Sequence, residues 1–381
     1  MKSILHVVNV PFVIPYYFGD QLTFFKNQNY KIFIASHDSE RLEFYEAKWN
    51  FRAYRVDIKR TISPLHDIIS ILKLVKIINN NKIEIVVGHT PKGALLSMIS
   101  SFIAKVPKRI YFRHGLMYET SFGLKRLILM SIEKLTSILA TEVVCVSNSV
   151  LQISRDYKLS NPNKLRILNR GTCNGIDTEL KFNKQIIDSQ KIKILRSQLK
   201  IENDDFIVGF VGRIAKDKGL EELVDAWLKL LKANNQKKTK LIICGPVDSR
   251  DPVNRSTLNV IQNDSTIIHI GEIDNTEEYY SLFDVFILPS YREGFPTVVL
   301  EASSMELPII TSRSTGCIDS IVENKTGVFT EITAIDIYSK IQFYINNPTI
   351  AKLHGINGRE FVKENFSQKI IWNDLLKNVY N

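Results

Sequence analysis

Short, continuous apolar runs rich in Val and Ile recur along this chain with helix-length segments between them, and that rhythm restricts the fold more than any other feature. In the first half the runs occupy residues 4–10, 31–35, 84–87, 109–113, 142–146 and 164–168, with helical patterns at 65–79, 92–104, 125–140 and 147–157. In the second half they occupy 206–211, 240–244, 266–270, 285–288 and 308–311, again with helices interposed. A strand that is apolar at every position has both faces covered, as in a parallel sheet flanked by helices. The expected class is therefore α/β, with doubly wound parallel sheets. A chain of 381 residues exceeds what one such core usually accommodates, so two domains facing a central cleft are expected. The boundary belongs in 170–205, where Gly171-Thr172-Cys173-Asn174-Gly175 is turn-like and 181–200 is polar and charge-rich. A hinge near Gly175 gives domains of 1–175 and 176–366. The tail 333–381 reads as three helices, and the last, about 367–381, is expected to pack back on the first domain.

Residues 1–180 hold 25 Lys and Arg against 14 Asp and Glu, whereas residues 181–381 hold 25 against 26. The whole formal charge of +10 thus belongs to the first half, which suggests an anionic partner there: lipid headgroups, a lipid diphosphate or nucleic acid. Cys145, Cys173, Cys244 and Cys317 have neither disulfide-framework nor zinc-site spacing, and a reducing cytoplasm is the expected home. The N-terminal apolar run reads as a first strand, being too short for a signal peptide. No apolar stretch approaches the ~20 residues of a spanning helix, so membrane contact is expected to be peripheral. The helical segment 125–140 sets Lys125, Arg126 and Lys134 beside Leu127, Ile128, Leu129, Met130, Ile132 and Leu135. Such a helix either buries its apolar face on its own sheet or lies on an anionic leaflet.

Ligands of open parallel sheets bind beyond the carboxyl ends of the strands. The run 206–211 leads into Gly212-Arg213 and then Lys218-Gly219, where a forked guanidinium and an ammonium can neutralise a diphosphate. Gly245 and Gly271 end strands at turns where backbone can approach a flat base. The most specific segment is 288–302. Its strand ends at Pro289, a loop carries Glu293, Gly294 and Phe295, and a helix opens at Pro296 or Thr297 with Glu301 about one turn in. The amide groups and positive end of that helix favour an anion, and two carboxylates suit sugar or ribose hydroxyls.

Glu293 and Glu301, separated by seven residues, with Pro289-Ser290 preceding and Gly294-Phe295-Pro296 between them, resemble the Glu-x7-Glu signature of glycosyltransferase family 4. Gly212-Arg213 with Lys218-Gly219 resembles that family's diphosphate-binding element, and Asn174-Gly175-Ile176-Asp177 resembles its domain crossing. The resemblance implies a GT-B fold of two Rossmann-like domains and transfer from a nucleotide diphosphate sugar with retention, without a metal or other cofactor. It implies that Arg213 and Lys218 hold the diphosphate, Glu301 the ribose, and Glu293 the transferred sugar. The amides of Phe295 and Thr297 bind phosphate or sugar oxygens, while Pro296, lacking an N–H, shapes the loop. Backbone near Gly245 and Ile273 receives the base. In the first domain it implies that His114, at the end of strand 109–113, contacts the donor sugar near its reacting carbon; His89, at the end of strand 84–87, is a second candidate by its similar position. The sequence departs from the family after the first strand: instead of a Gly-Gly pair it has Pro11 to Gly19, where Gly19 alone can take that part.

The donor expected is a UDP-sugar, including N-acetylated ones, with GDP-mannose as the alternative. The acceptor expected is a lipid-linked glycan of capsule, O-antigen or exopolysaccharide assembly, met at the inner face of the cell membrane. A sugar nucleotide epimerase of similar architecture and a non-catalytic sugar-binding protein remain open. A basic nucleic-acid-binding protein would explain the charge but lacks any recognition motif, so no nucleic-acid partner is expected.

Overall fold

The computed structural model describes residues 1–59, 61, 63–233 and 238–381. They divide into two compact units. Unit 1 is Met1–Gly175 with Gln368–Asn381, and unit 2 is Ile176–Ser367.

Unit 1 is built on seven parallel strands: β1 (Lys2–Val7), β2 (Tyr30–Ser36), β3 (Arg52–Arg55), β4 (Ile85–Gly88), β5 (Lys108–Arg113), β6 (Glu142–Cys145) and β7 (Leu165–Ile167). Their order is β3-β2-β1-β4-β5-β6-β7. Unit 2 has six: β8 (Phe206–Val211), β9 (Thr239–Cys244), β10 (Ile267–Gly271), β11 (Val285–Leu288), β12 (Ile309–Ser312) and β13 (Gly327–Thr330), in the order β10-β9-β8-β11-β12-β13. Both sheets begin in the middle and wind outward in both directions. The point where the order reverses lies between β1 and β4 in unit 1 and between β8 and β11 in unit 2, and this is where doubly wound sheets open a crevice at the carboxyl edge. The central strands of unit 2 are apolar throughout because helices cover both faces; every residue of β8 and β11 is buried.

Two strands escape the apolar rhythm. β3 reads Arg-Ala-Tyr-Arg and is an edge strand, where charge is tolerated and guards against further pairing. β13 is an edge strand reading Gly-Val-Phe-Thr, whose two consecutive apolar residues are too few to register as a run. The polar stretch 181–200 contains a helix, Ser189–Gln198, started by the Asp188 side chain accepting from the Gln190 amide. In the tail, helices Ala334–Asn346 and Pro348–Phe366 belong to unit 2. Helix Gln368–Asp374 and the π-helical turn Leu375–Tyr380 belong to unit 1, burying Ile371, Leu375, Val379 and Tyr380. Tyr380 packs on Phe25 with ring centroids 4.9 Å apart, and Trp372 donates its indole N–H to the Asn174 carbonyl at 2.7 Å. All four cysteines are free and buried.

Helix Gly123–Leu139 turns only part of its apolar surface to its sheet, where Leu129, Met130 and Leu139 pack against the core. Glu133, Thr136 and Ser137 point inward, while Leu124, Leu127, Ile128, Leu135 and Ile138 are exposed. The reason is a polar anchor in β5. Arg113, fully buried, donates from Nε to Glu133 at 3.0 Å and from its terminal nitrogens to Ser137 at 2.6 Å and Ser154 at 2.7 Å. Tyr111 donates its hydroxyl to the same Glu133 at 2.8 Å. A buried guanidinium has to be paired and hydrogen-bonded, and this helix supplies most of its partners.

Candidate active site

In unit 2, parallel strands put the loops after β8, β9, β10, β11 and β12 on one edge, and the expected donor residues Gly212, Arg213, Lys218, Gly245, Ile273, Glu293, Gly294, Phe295, Pro296 and Thr297 lie on those loops or just beyond them. Lys218 and Glu293, from the two sides of the order reversal, meet in an ion pair of 2.6 Å, each largely shielded from solvent. The loops that carry them are stitched together. The Asp217 carbonyl accepts from the Tyr291 amide at 2.9 Å and the Ser290 hydroxyl at 3.0 Å.

Arg213 lies at the same edge, held by carboxylates. Its guanidinium bonds Asp248 and approaches Asp217 at 3.6 Å. Asp248 also receives Arg250 through Nε at 2.9 Å and Nη2 at 2.8 Å, and this bonding, with Arg213 beside it, holds its carboxyl well below the usual range. Asp248, Arg250 and Asp217 escaped sequence reasoning; the signal available was the Asp-x-Arg-Asp run after β9. Gly245 sits where a Cβ would fall 1.9 Å from the Gly212 carbonyl oxygen, so the loops after β8 and β9 touch backbone to backbone. The His269 ring bonds the Gly245 carbonyl at 2.9 Å, tying in β10, and Ile273 beyond it is partly buried against the unit 2 core.

Helix Thr297–Ser304 starts at Pro296 with no side-chain cap, leaving its first turn for an external acceptor. Phe295 turns its ring onto Phe366, 5.3 Å away, which fixes the loop. The loop after β12 supports it from the other side. The Glu293 amide donates to the Thr315 carbonyl at 3.0 Å, and a Cβ on Gly316 (φ +78°) would fall 2.6 Å from the Gly294 carbonyl oxygen. Glu301, one turn in, accepts from the Tyr280 hydroxyl at 2.9 Å, and burial raises its carboxyl above the ordinary value. Tyr280 is the assigned partner that a carboxylate among Val298, Val299, Leu300 and Ala302 requires; nothing in its local sequence marks it.

In unit 1 the corresponding edge holds rings. His6 in β1, His89 after β4 and His114 after β5 form one hydrogen-bonded row: His6 Nδ1 to His89 Nε2 at 3.2 Å, and His89 Nδ1 to His114 Nε2 at 2.9 Å. Tyr17 stacks on His114 with centroids 3.9 Å apart and planes 7° from parallel. Burial pushes His6 and His114 down to about 3, and His89 well below its ordinary value, so at neutral pH all three are uncharged. In such a row each shared hydrogen bond fixes one ring's tautomer by its neighbour's. Thr90 beside His89 adopts φ +61°, unusual for a β-branched residue and a sign of a constrained edge. The stretch Pro11 to Gly19 forms a 3₁₀ turn and a short helix, with Gly19 (φ +48°) against Pro15 and the Asn174 side chain. His6 and Tyr17 were not anticipated; a His inside an apolar strand was the missed signal.

Residues 191–361 match the family described as glycosyl transferases group 1, and residues 4–147 match the family described as glycosyl transferase 4-like. The chain is 33% identical to the capsular polysaccharide biosynthesis glycosyltransferase CapM of Staphylococcus aureus, over all of this chain and 97% of that protein. It is 24% identical to the UDP-Gal:alpha-D-GlcNAc-diphosphoundecaprenol alpha-1,3-galactosyltransferase of Escherichia coli, over 81% of this chain and 78% of that one. The solved structure of Anabaena HepE in complex with UDP has the same fold, with a TM-score of 0.79 at 16% identity over 100% of both chains. Two doubly wound parallel sheets, both family matches and a full-length relative at this identity make the chain a member of the group 1, family 4-like glycosyltransferases, with the GT-B fold.

Proposed function

We propose that this enzyme moves a sugar from a UDP-sugar to a lipid-linked glycan in the assembly of a bacterial surface polysaccharide, retaining the anomeric configuration and needing no metal ion. The observation that carries the donor site is the pairing of Lys218 with Glu293 across the order reversal of the unit 2 sheet, with Arg213 and Glu301 on the same edge. A bound diphosphate takes Lys218 and Arg213 as counter-ions, with the amides of Phe295, in the loop before the helix, and of Thr297, at its start, as donors; Glu301 accepts from the ribose hydroxyls and Glu293 from the transferred sugar. Backbone at Gly245 and Ile273 receives the base, and Gly212 lets the phosphates come close. These fixed charges stabilise the leaving diphosphate, the task a divalent ion performs elsewhere.

In the transfer, the bond between anomeric carbon and phosphate oxygen breaks and a bond from the acceptor hydroxyl forms on the same face. The acceptor's proton passes to the departing phosphate oxygen, so no side chain need act as base. On the family resemblance we assign His114 and Gly19 to the donor, His114 as a neutral hydrogen-bonding group near the reacting carbon. Support for UDP and for a lipid-linked acceptor comes from the Escherichia coli relative, named for UDP-Gal and a diphosphoundecaprenol acceptor, and from the UDP in the HepE structure. CapM supports the polysaccharide role. Among the described residues no helix is long and apolar enough to cross a membrane, and the basic first half is suited to meeting an anionic inner leaflet peripherally.

Calorimetric titration of UDP and GDP, in EDTA, into the native chain and the Glu301→Ala and Arg213→Ala variants tests the donor assignment. UDP binding weakened by both substitutions is expected. Preference for GDP would redirect the donor to GDP-mannose, and binding of neither nucleotide would remove the assignment.

A further inference from the structure

We infer that Asp248 is an exchangeable counter-ion for Arg213, and that Arg250 is the positioning residue that makes the exchange possible by keeping Asp248 neutralised when Arg213 turns to the diphosphate of the donor. The inference rests on the donor site proposed above and goes beyond it in giving Asp248 and Arg250 a part in binding that neither plays by touching the ligand.

A cation meant for a diphosphate has two opposing needs. It has to be held at the edge before the ligand arrives, and it has to be able to leave its holder afterwards. A single buried carboxylate meets the first need and obstructs the second, because the cation's departure leaves an uncompensated charge beside an incoming anion. The loop after β9 resolves this by placing two guanidinium groups on one carboxylate. The Asp248 side chain is only 6% exposed. Its Oδ1 accepts from the Arg250 amide at 3.0 Å and from Arg250 Nε at 2.9 Å, and its Oδ2 accepts from Arg250 Nη2 at 2.8 Å and from Arg213 Nη1. Three of these four bonds come from Arg250, so the departure of Arg213 leaves both oxygens bonded and the charge paired in a forked contact. Arg250 is also the leading reason that the Asp248 carboxyl lies below the usual range, ahead of the charge on Arg213.

The backbone carries the same asymmetry. Arg250 stands two residues after Asp248 and moves with it, whereas Arg213 belongs to the loop after β8. Main-chain bonds join the two loops. The Ile214 amide donates to the Pro246 carbonyl at 2.8 Å, the Asp248 amide to the Ile214 carbonyl at 3.0 Å, and the Lys216 amide to the Asp251 carbonyl at 3.0 Å. The Asp251 carboxylate accepts from the Asp217 amide at 2.8 Å. Neither loop therefore has to open when Arg213 changes partner. Only its side chain, 38% exposed, has to turn. The pattern repeats at Asp217, which lies 3.6 Å from Arg213 and has a second cation in Arg292 at 3.8 Å. Each carboxylate beside Arg213 thus keeps another arginine when Arg213 leaves.

The test is calorimetric titration of UDP into the full chain, with uridine binding followed by saturation-transfer NMR as the control for contacts to base and ribose. Arg250→Ala should weaken UDP about five- to tenfold and leave uridine unchanged, because an uncompensated Asp248 acts only against phosphate. Adding Asp248→Asn to Arg250→Ala should restore UDP to within about twofold of the native chain, a rescue that the loss of a direct phosphate contact does not permit. Arg250→Lys, which keeps the charge and loses the fork, should fall between the two. An Arg250→Ala defect that Asp248→Asn fails to relieve would overturn the exchange and make Arg250 a phosphate ligand. Equal losses for UDP and uridine would overturn it in favour of a role in building the loop. UDP binding that is weakened by Arg213→Ala and indifferent to Arg250→Ala would overturn the exchange and leave the donor reading in place, whereas UDP binding indifferent to Arg213→Ala removes both.

Discussion

The two sheets share a topology, yet their carboxyl edges are chemically opposite. Unit 2's edge is held by ions: Lys218 with Glu293, and Arg213 and Arg250 with Asp248. Unit 1's edge is a row of uncharged rings, with His6, His89 and His114 in line and Tyr17 stacked on the last. Ion pairs in place before a ligand arrives mark where charge is to be received, because a diphosphate can replace a carboxylate partner without the cation having to be desolvated afresh. Neutral imidazoles mark where hydrogen bonds are needed without a charge that would compete with a developing oxocarbenium. The fold supplies the edge and the side chains set its polarity.

The sharpest way to break the contrast is to remove charge from the ionic edge. Lys218→Ala should lower kcat/KM by about 10²–10³-fold, read with saturating acceptor, and leave the fold intact by circular dichroism. On the ring edge, His114→Ala should cost about 10–100-fold in kcat, roughly 1.4–2.7 kcal/mol of barrier, with UDP affinity nearly unchanged. His89→Phe should cost less, about tenfold, while nitrogen NMR shows the His114 tautomer ratio altered. An unaltered tautomer would reduce the histidine row to packing. Acid should separate the edges as well. Burial raises Glu301, and in the proposed donor site its ionised form is the one that would accept from ribose. UDP affinity should therefore be complete above that raised value and fall by about tenfold per pH unit below it. Glu301→Gln should flatten this profile and His114→Ala should not. The smallest effect is on stability. A carboxyl raised in the folded state lends stability that is fully present below its unfolded pKa and is lost as pH rises through the folded one. Without ligand, Glu301→Gln should thus melt higher by about 2 °C at neutral pH, and the gap should close in acid.

Much of the architecture was legible because buried parallel strands leave an unbroken apolar run, as in Phe206–Val211 and Val285–Leu288. β3 and β13 were not: β3 carries arginine at both ends, which an exposed edge allows, and β13 has only two apolar residues in a row. The ionic edge was partly legible: Arg213, Lys218, Glu293 and Glu301 stand at strand ends and a helix start, where sequence position implies the edge. Asp248, Tyr280 and the loop around Thr315 contribute through contacts between segments distant in the chain, which carry no local mark. The helix Gly123–Leu139 carried an amphipathic pattern, yet the sequence left open which face turns inward. Its orientation is decided by Arg113 in a neighbouring strand, and periodicity alone is blind to that.

The assignment of Gln368–Asn381 to unit 1 bears on the order in which the protein is made. Unit 2 lies wholly within Ile176–Ser367 and has all its strands in hand once that stretch is synthesised. Unit 1, although begun first, waits for Ile371, Leu375, Val379 and Tyr380 to fill its core beside Phe25. The usual sequence of N-terminal domain first is thereby reversed at the last step, and the half that exposes Leu124, Leu127 and Ile128 is the half that finishes late. During synthesis that half is the one most in need of a chaperone or a nearby membrane.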